Sequence, residues 1–125
     1  MQRYFLIALG GALGAILRYV VGAMASQRLT TRFPVGTLVI NISACFIIGL
    51  TMEFLSRHTG ASAAWRYLIP VGFIGAYSTF STFEYEMWSQ FTHGAYWIML
   101  LYLTTSIVSG FVAVSLGASA GRALS

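Results

Sequence analysis

Four apolar stretches, each about as long as a bilayer crossing, leave this chain almost no other way to fold. They run over residues 4–25, 35–55, 64–91 and 95–117. A helix needs roughly 20 apolar residues to cross the hydrocarbon core, so the four stretches account for most of the 125 residues. Charged residues make up 8% of the chain, against about a quarter in a soluble domain. That is too few to coat a water-facing surface, and no length is left for a soluble catalytic domain. The expected fold is a single all-α integral membrane domain, residues 1–125, with four transmembrane helices. Its connections, Ser26–Pro34, Ser56–Ala63 and Thr92–Gly94, are short and polar, which makes sequential helices antiparallel neighbours in a bundle.

The basic residues are all arginines, at positions 3, 18, 28, 32, 57, 66 and 122, and the acids are Glu53, Glu84 and Glu86. Single arginines at span ends suit anionic lipid headgroups; without a basic patch, no nucleic-acid partner is expected. With four spans, Arg3, Arg57, Arg66 and Arg122 share one side, and Arg28 and Arg32 the other. Four against two is a shallow bias under the positive-inside rule. It leaves two readings open: a single orientation, or insertion both ways round with two copies meeting about a two-fold axis in the membrane plane. The N-terminal run ends in Ala23-Met24-Ala25, which imitates a leader cleavage site, but Arg18 interrupts it and it is long enough to span, so it reads as the first span. Gly10-x-x-x-Gly14 and Gly117-x-x-x-Gly121 are small-residue patterns that let helices approach closely. Cys45 is the single cysteine, so no intrachain disulfide forms. His58 and His93 lie in separate connections without a nearby nucleophile or metal partner, so no enzyme is expected.

Polar side chains inside hydrocarbon are functional candidates by default. Arg18 lies seven residues before the end of its span and Asn41 seven after Pro34, so both sit roughly 10 Å deep from the same face at 1.5 Å per residue. Arg18 reads either as an interfacial anchor or as part of an entrance; Asn41 reads either as glue between helices or as part of the same entrance. Glu86 approaches that face from the third span, which makes an Arg18–Glu86 pair an expectation. The densest signal is Gly72-Phe73-Ile74-Gly75-Ala76-Tyr77-Ser78-Thr79-Phe80-Ser81-Thr82-Phe83. Glycines and hydroxyls at mid-membrane suit a third helix broken near its middle, whose freed backbone groups face a cavity or an ion. Released carbonyl oxygens there suit a hard cation such as Na⁺. Phe80 and Phe83 fall on one helix face, and on the fourth span Tyr102, Ser106 and Ser109 form a hydroxyl stripe. Aromatic ring edges are electropositive, so rings with hydroxyl and amide donors beside them make a weakly attractive track for an anion. The alternative is ordinary packing, with hydroxyls bonded to their own backbone.

These segments, together with Gly36-Thr37-Leu38-Val39-Ile40-Asn41 and Gly14-Ala15-Ile16-Leu17-Arg18-Tyr19, resemble the small fluoride channels called Fluc or CrcB over nearly the whole chain. The resemblance implies an antiparallel, dual-topology homodimer in the bacterial inner membrane. Two pores would let fluoride leave the cytoplasm passively and so relieve its toxicity. It implies a structural Na⁺ at the dimer centre, held by the carbonyls of Gly75 and Ser78 of each subunit. Phe80 and Phe83 would face the pores with Thr79, Ser81 and Thr82 beside the path; Asn41, Tyr102 and Ser106 would line it, and Arg18 and Glu86 would stand in the vestibule. Three features depart from that family's usual pattern: Gly75-Ala76 in place of a double glycine, Ser78 where threonine is usual, and a thin polar track after Ser109. If residue 76 needs φ > 0, alanine there is strained by about 1 kcal/mol or more.

Two other functions compete. A small proton-coupled multidrug transporter also has four spans at this size, but needs an intramembrane carboxylate, typically in the first span, where this chain has Arg18 and no acid; Glu86 would have to serve instead. A structural subunit of a larger membrane complex predicts no transport by the chain alone.

Overall fold

Hydrocarbon offers the backbone no hydrogen-bond partner, so an apolar chain must satisfy its own peptide groups, which a helix does locally. The computed structural model describes residues 1–29, 31–58 and 63–125, and among them there is helix but no strand. Residue 30 and residues 59–62, in the expected Ser26–Pro34 and Ser56–Ala63 connections, lie outside the described residues. The helices are α1 (Gln2–Arg28), α2 (Val35–Arg57), α3 (Ala63–Arg66), α4 (Gly75–Tyr77), α5 (Phe80–Thr92) and α6 (Tyr96–Ala123), with a π-helical stretch at Tyr67–Ile74 joining α3 to α4. α1, α2 and α6 are each long and apolar enough to cross a membrane. At about 1.5 Å per residue, their 27, 23 and 28 residues exceed the roughly 30 Å hydrocarbon core. The protein is an all-helical, multi-pass membrane protein.

The segment over residues 63–92 has a different construction. Pro70 lies inside the π-helical stretch; it has no N–H to donate to the preceding turn, and the widened hydrogen-bonding register accommodates that loss. Helical backbone stops after Tyr77. Ser78 (φ −72°, ψ 156°) and Thr79 (φ −147°, ψ 110°) are extended, and helix resumes at Phe80. Ala76 lies within α4, and glycine alone takes positive φ among the described residues, at Gly94 (φ 72°). Alanine at position 76 is therefore unstrained, because the break falls two residues later than a strained position there would require.

The bundle is assembled by backbone-to-backbone approach. α1 packs along the π-helical stretch and α4, and α2 packs along α6. A methyl group at Gly10 would collide with the Leu68 carbonyl oxygen, and one at Gly14 with that of Phe73. At the other seam, methyls at Gly117 and Gly121 would strike the carbonyls of Phe46 and Leu50. Both small-residue patterns are thus used within the chain. Between the seams, Ile40, Ala44, Ile74 and Tyr77 form a buried cluster, flanked by Val21, Ile47, Ile48, Ile69 and Phe73. At one end of the bundle Glu53 meets Arg57 (3.3 Å) and Arg122 (3.6 Å), tying α2 to α6.

Candidate functional site

The extended pair Ser78–Thr79 leaves peptide groups that no helix satisfies, and α2 supplies a partner. Asn41 Nδ2 donates to the Thr79 carbonyl (3.1 Å), and the Thr79 N–H donates to Asn41 Oδ1 (2.9 Å). Thr79 also caps α5: its Oγ1 accepts the Thr82 N–H (3.3 Å), as N-cap threonines do, and donates to Thr82 Oγ1 (2.9 Å). These bonds have a consequence for the carbonyls behind them. In a continuous helix the N–H of residue i serves the carbonyl of residue i−4. The Thr79 N–H, which would serve Gly75, goes to Asn41, and the Thr82 N–H, which would serve Ser78, goes to Thr79 Oγ1. The carbonyls of Gly75 and Ser78 are so deprived of their usual helical donors.

A cavity of about 410 Å³ opens beside the break. α1 lines it with Arg18 and Tyr19, α2 with Thr37 and Ile40, Thr79 closes it at the break, and α5 contributes Thr82 and Glu86. Arg18 and Glu86 are the cation and the carboxylate of this lining, but the expected pair between them is not formed among the described residues. Both carboxylate oxygens are engaged elsewhere: Thr37 Oγ1 donates to Oε1 (2.7 Å) and the Tyr102 hydroxyl to Oε2 (2.7 Å). The sequence brings Glu86 to the same face as Arg18; it does not give the rotation of α5, which turns Glu86 toward Thr37 of α2 and Tyr102 of α6.

The structure separates the two phenylalanines. Phe83 is 6% exposed and Phe80 73%; their ring centroids are 6.0 Å apart, and Phe83 packs on Tyr102 at 5.0 Å. Ser81 and Thr82 are exposed. Of the α6 hydroxyls, Tyr102 is fully buried on Glu86, Ser109 donates to the Thr105 carbonyl, and the buried Ser106 Oγ has no partner among the described residues. The three therefore do not form one continuous hydrogen-bonded track. Ser78 Oγ donates to the Ile74 carbonyl (3.1 Å).

Two residues gain roles that the sequence-based expectations do not include. Thr37 is buried and holds Glu86; the available signal is its position four residues before Asn41, on the same face of α2. Tyr77, buried in the core cluster, shares a 2.9 Å hydrogen bond with Ser43, a pairing between distant segments that no local pattern announces.

The fold and this site define a class: a small helical membrane protein whose polar groups gather at a helix interruption and one side cavity. Residues 5–118 match the family described as "CrcB-like protein, Camphor Resistance (CrcB)". The chain is also 50% identical to a protein of Acidobacterium capsulatum over 121 residues, 97% of each chain, and that protein is named "Fluoride-specific ion channel FluC". Proteins of the same name from Solibacter usitatus (42% over 121 residues, 97% of this chain and 99% of the relative) and Chloroflexus aurantiacus (39% over 122 residues, 98% and 97%) are similar along their whole length. The chain belongs to the CrcB-like family.

Proposed function

We propose that this protein is a fluoride-specific channel that lets fluoride leave the cytoplasm down its electrochemical gradient, as the names of its relatives suggest. The observation that carries the reading is the break at Ser78–Thr79, opening on a cavity that holds Arg18. Fluoride is small and strongly hydrated, and burying an anion bare costs many kcal/mol. A narrow path must replace its water stepwise. Thr82, Ser81 and the ring edges of Phe80 and Phe83 are suited to that exchange, with Asn41 holding Thr79 in place beside them. The Ser106 hydroxyl, one helical turn beyond Tyr102 and without a partner among the described residues, is a further donor of the right kind. Arg18 draws the anion into the vestibule. Glu86, held by Thr37 and Tyr102, sets the other wall.

In this reading residues 63–92 form the third of four crossings in two halves, since the pieces on either side of the break are each too short to span alone. The chain works as an antiparallel, dual-topology homodimer with two pores, consistent with its shallow arginine bias and with the exposed apolar side chains along α1 and α6. A structural Na⁺ at the dimer centre fits the donor set: a hard cation takes oxygen ligands, and the Gly75 and Ser78 carbonyls have lost their helical N–H partners. There the ion would neutralise converging carbonyl dipoles and hold the two subunits together.

The test is fluoride efflux from liposomes holding the purified protein, followed with a fluoride electrode and repeated with chloride. Fast efflux driven by membrane potential, with little chloride loss, is the expected result. Drug-dependent proton exchange without potential-driven fluoride loss would replace the channel with the multidrug transporter, and no transport by folded dimer would favour a structural subunit.

A further inference from the structure

Tyr77 presents a polar group where an apolar one would be cheaper. It is 4% exposed, clusters with Ile40, Ala44 and Ile74, and stacks on Phe73 with centroids 5.6 Å apart and planes 15° off parallel. A phenylalanine would fill that space without burying a hydroxyl, which costs free energy unless it is hydrogen-bonded. The hydroxyl meets Ser43 Oγ at 2.9 Å. Ser43 Oγ also lies 2.8 Å from the Val39 carbonyl and 3.0 Å from that of Ile40. A serine has one proton to donate, and those carbonyls take it. Tyr77 is therefore the donor and Ser43 the acceptor.

The placement of this bond matters more than its strength. Tyr77 is the last helical residue before the break, and Thr79 begins the next segment. α2 holds Tyr77 through Ser43 and holds Thr79 through both amide atoms of Asn41. Ser78 lies between the two anchors, with its carbonyl without the usual helical donor. One anchor leaves a peptide plane free to swivel; anchors on both sides fix it. Liganding groups must be held to within about 0.5 Å to be effective.

We propose that the Tyr77–Ser43 hydrogen bond is a positioning device that fixes the Ser78 carbonyl for the central Na⁺; this rests on the Na⁺ reading above. Tyr77 is not itself a ligand. It acts by denying the break its freedom on the α4 side, as Asn41 does on the α5 side.

The experiment is thermal unfolding of the purified protein across a Na⁺ titration, with N-methylglucamine keeping ionic strength constant. A ligand that binds the folded state alone raises Tm as its concentration passes its dissociation constant. Tyr77→Phe keeps the ring, its stacking and its volume and removes the donor. In the absence of Na⁺ its Tm should stay near that of the wild type, while the Na⁺ concentration for half-maximal stabilisation should rise about fivefold, the share of one ordinary hydrogen bond. Ser43→Ala should shift the titration in the same direction, and Ser43→Thr, which restores an acceptor hydroxyl, should bring it back. Should Tyr77→Phe fail to fold, the Ala and Thr variants at Ser43 carry the comparison alone. Titrations that superimpose on the wild type would overturn the positioning role and leave the Na⁺ site standing. A wild type whose Tm ignores Na⁺ would overturn both.

Discussion

Asn41 holds both backbone polar groups of Thr79, donating to its carbonyl at 3.1 Å and accepting its N–H at 2.9 Å. A side-chain amide carries both a donor and an acceptor, so it can stand in for the two backbone partners that the break removes. Asn41→Ala strips both at once. With each group left unsatisfied worth about 1–3 kcal/mol, this variant is expected to lose roughly 2–6 kcal/mol of stability, and fluoride flux with it. Asn41→Asp keeps an acceptor for the N–H but loses the donor to the carbonyl, and should fall between alanine and wild type. Denaturation in detergent micelles gives the order; an alanine variant as stable as wild type would show that water satisfies the break instead.

Glycines that look alike in sequence are predicted to differ sharply. Gly10→Ala and Gly117→Ala push a methyl into the backbone carbonyls of Leu68 and Phe46, which cannot yield as a flexible side chain does. Each should cost more than about 3 kcal/mol, beyond ordinary overpacking. Gly22 also lies inside α1, but a methyl there meets nothing within 4 Å among the described residues, so Gly22→Ala should gain up to about 1 kcal/mol from helix propensity. Expression level and Tm of the three variants read this directly.

Apolarity made α1, α2 and α6 legible in the sequence, because a long apolar run with few charges has one cheap solution. The glycine and hydroxyl cluster at residues 72–83 was legible as an odd stretch for the same reason. The unread part is what helix rotation decides. Arg18 and Glu86 line one cavity, yet Glu86 turns to Thr37 and Tyr102. Depth follows from counting residues, whereas the angle of α5 about its axis depends on packing against α2 and α6. Ser43 and Tyr77 pair across 34 positions, and neither stands out from its neighbours as a sequence. The strain that a positive φ at residue 76 would bring to Ala76 does not arise, because the backbone leaves the helix at Ser78.

Thr37 and Tyr102 act on opposite oxygens of one carboxylate, and their substitutions should not add. Tyr102→Phe and Thr37→Val each remove a hydrogen bond to a charged group, worth about 1.5–3 kcal/mol. Once one donor is gone, the Glu86 side chain is free to re-orient, so the second removal should cost less. A double-mutant cycle on unfolding free energy should show a coupling of about 0.5 kcal/mol or more, as contacting residues do. Strict additivity would mean that the two hydroxyls are held in place independently of Glu86.

Phe80 and Phe83 offer the sharpest separation of stability from transport. Phe83 is 6% exposed and packs on Tyr102, whereas Phe80 is 73% exposed in the single chain. Phe83→Ile changes the shape of a packed site and should cost about 1 kcal/mol; Phe80→Ile should leave the chain's own stability within about 0.5 kcal/mol, as surface changes do. Aliphatic side chains have no electropositive edge, so if ring edges take part in replacing fluoride's water, both variants should slow efflux despite their unequal stabilities. Flux measured on protein shown to be folded and dimeric is the check. Unchanged flux in both variants would remove the rings from the pathway, while a loss confined to Phe83→Ile would leave Phe80 without a role in conduction.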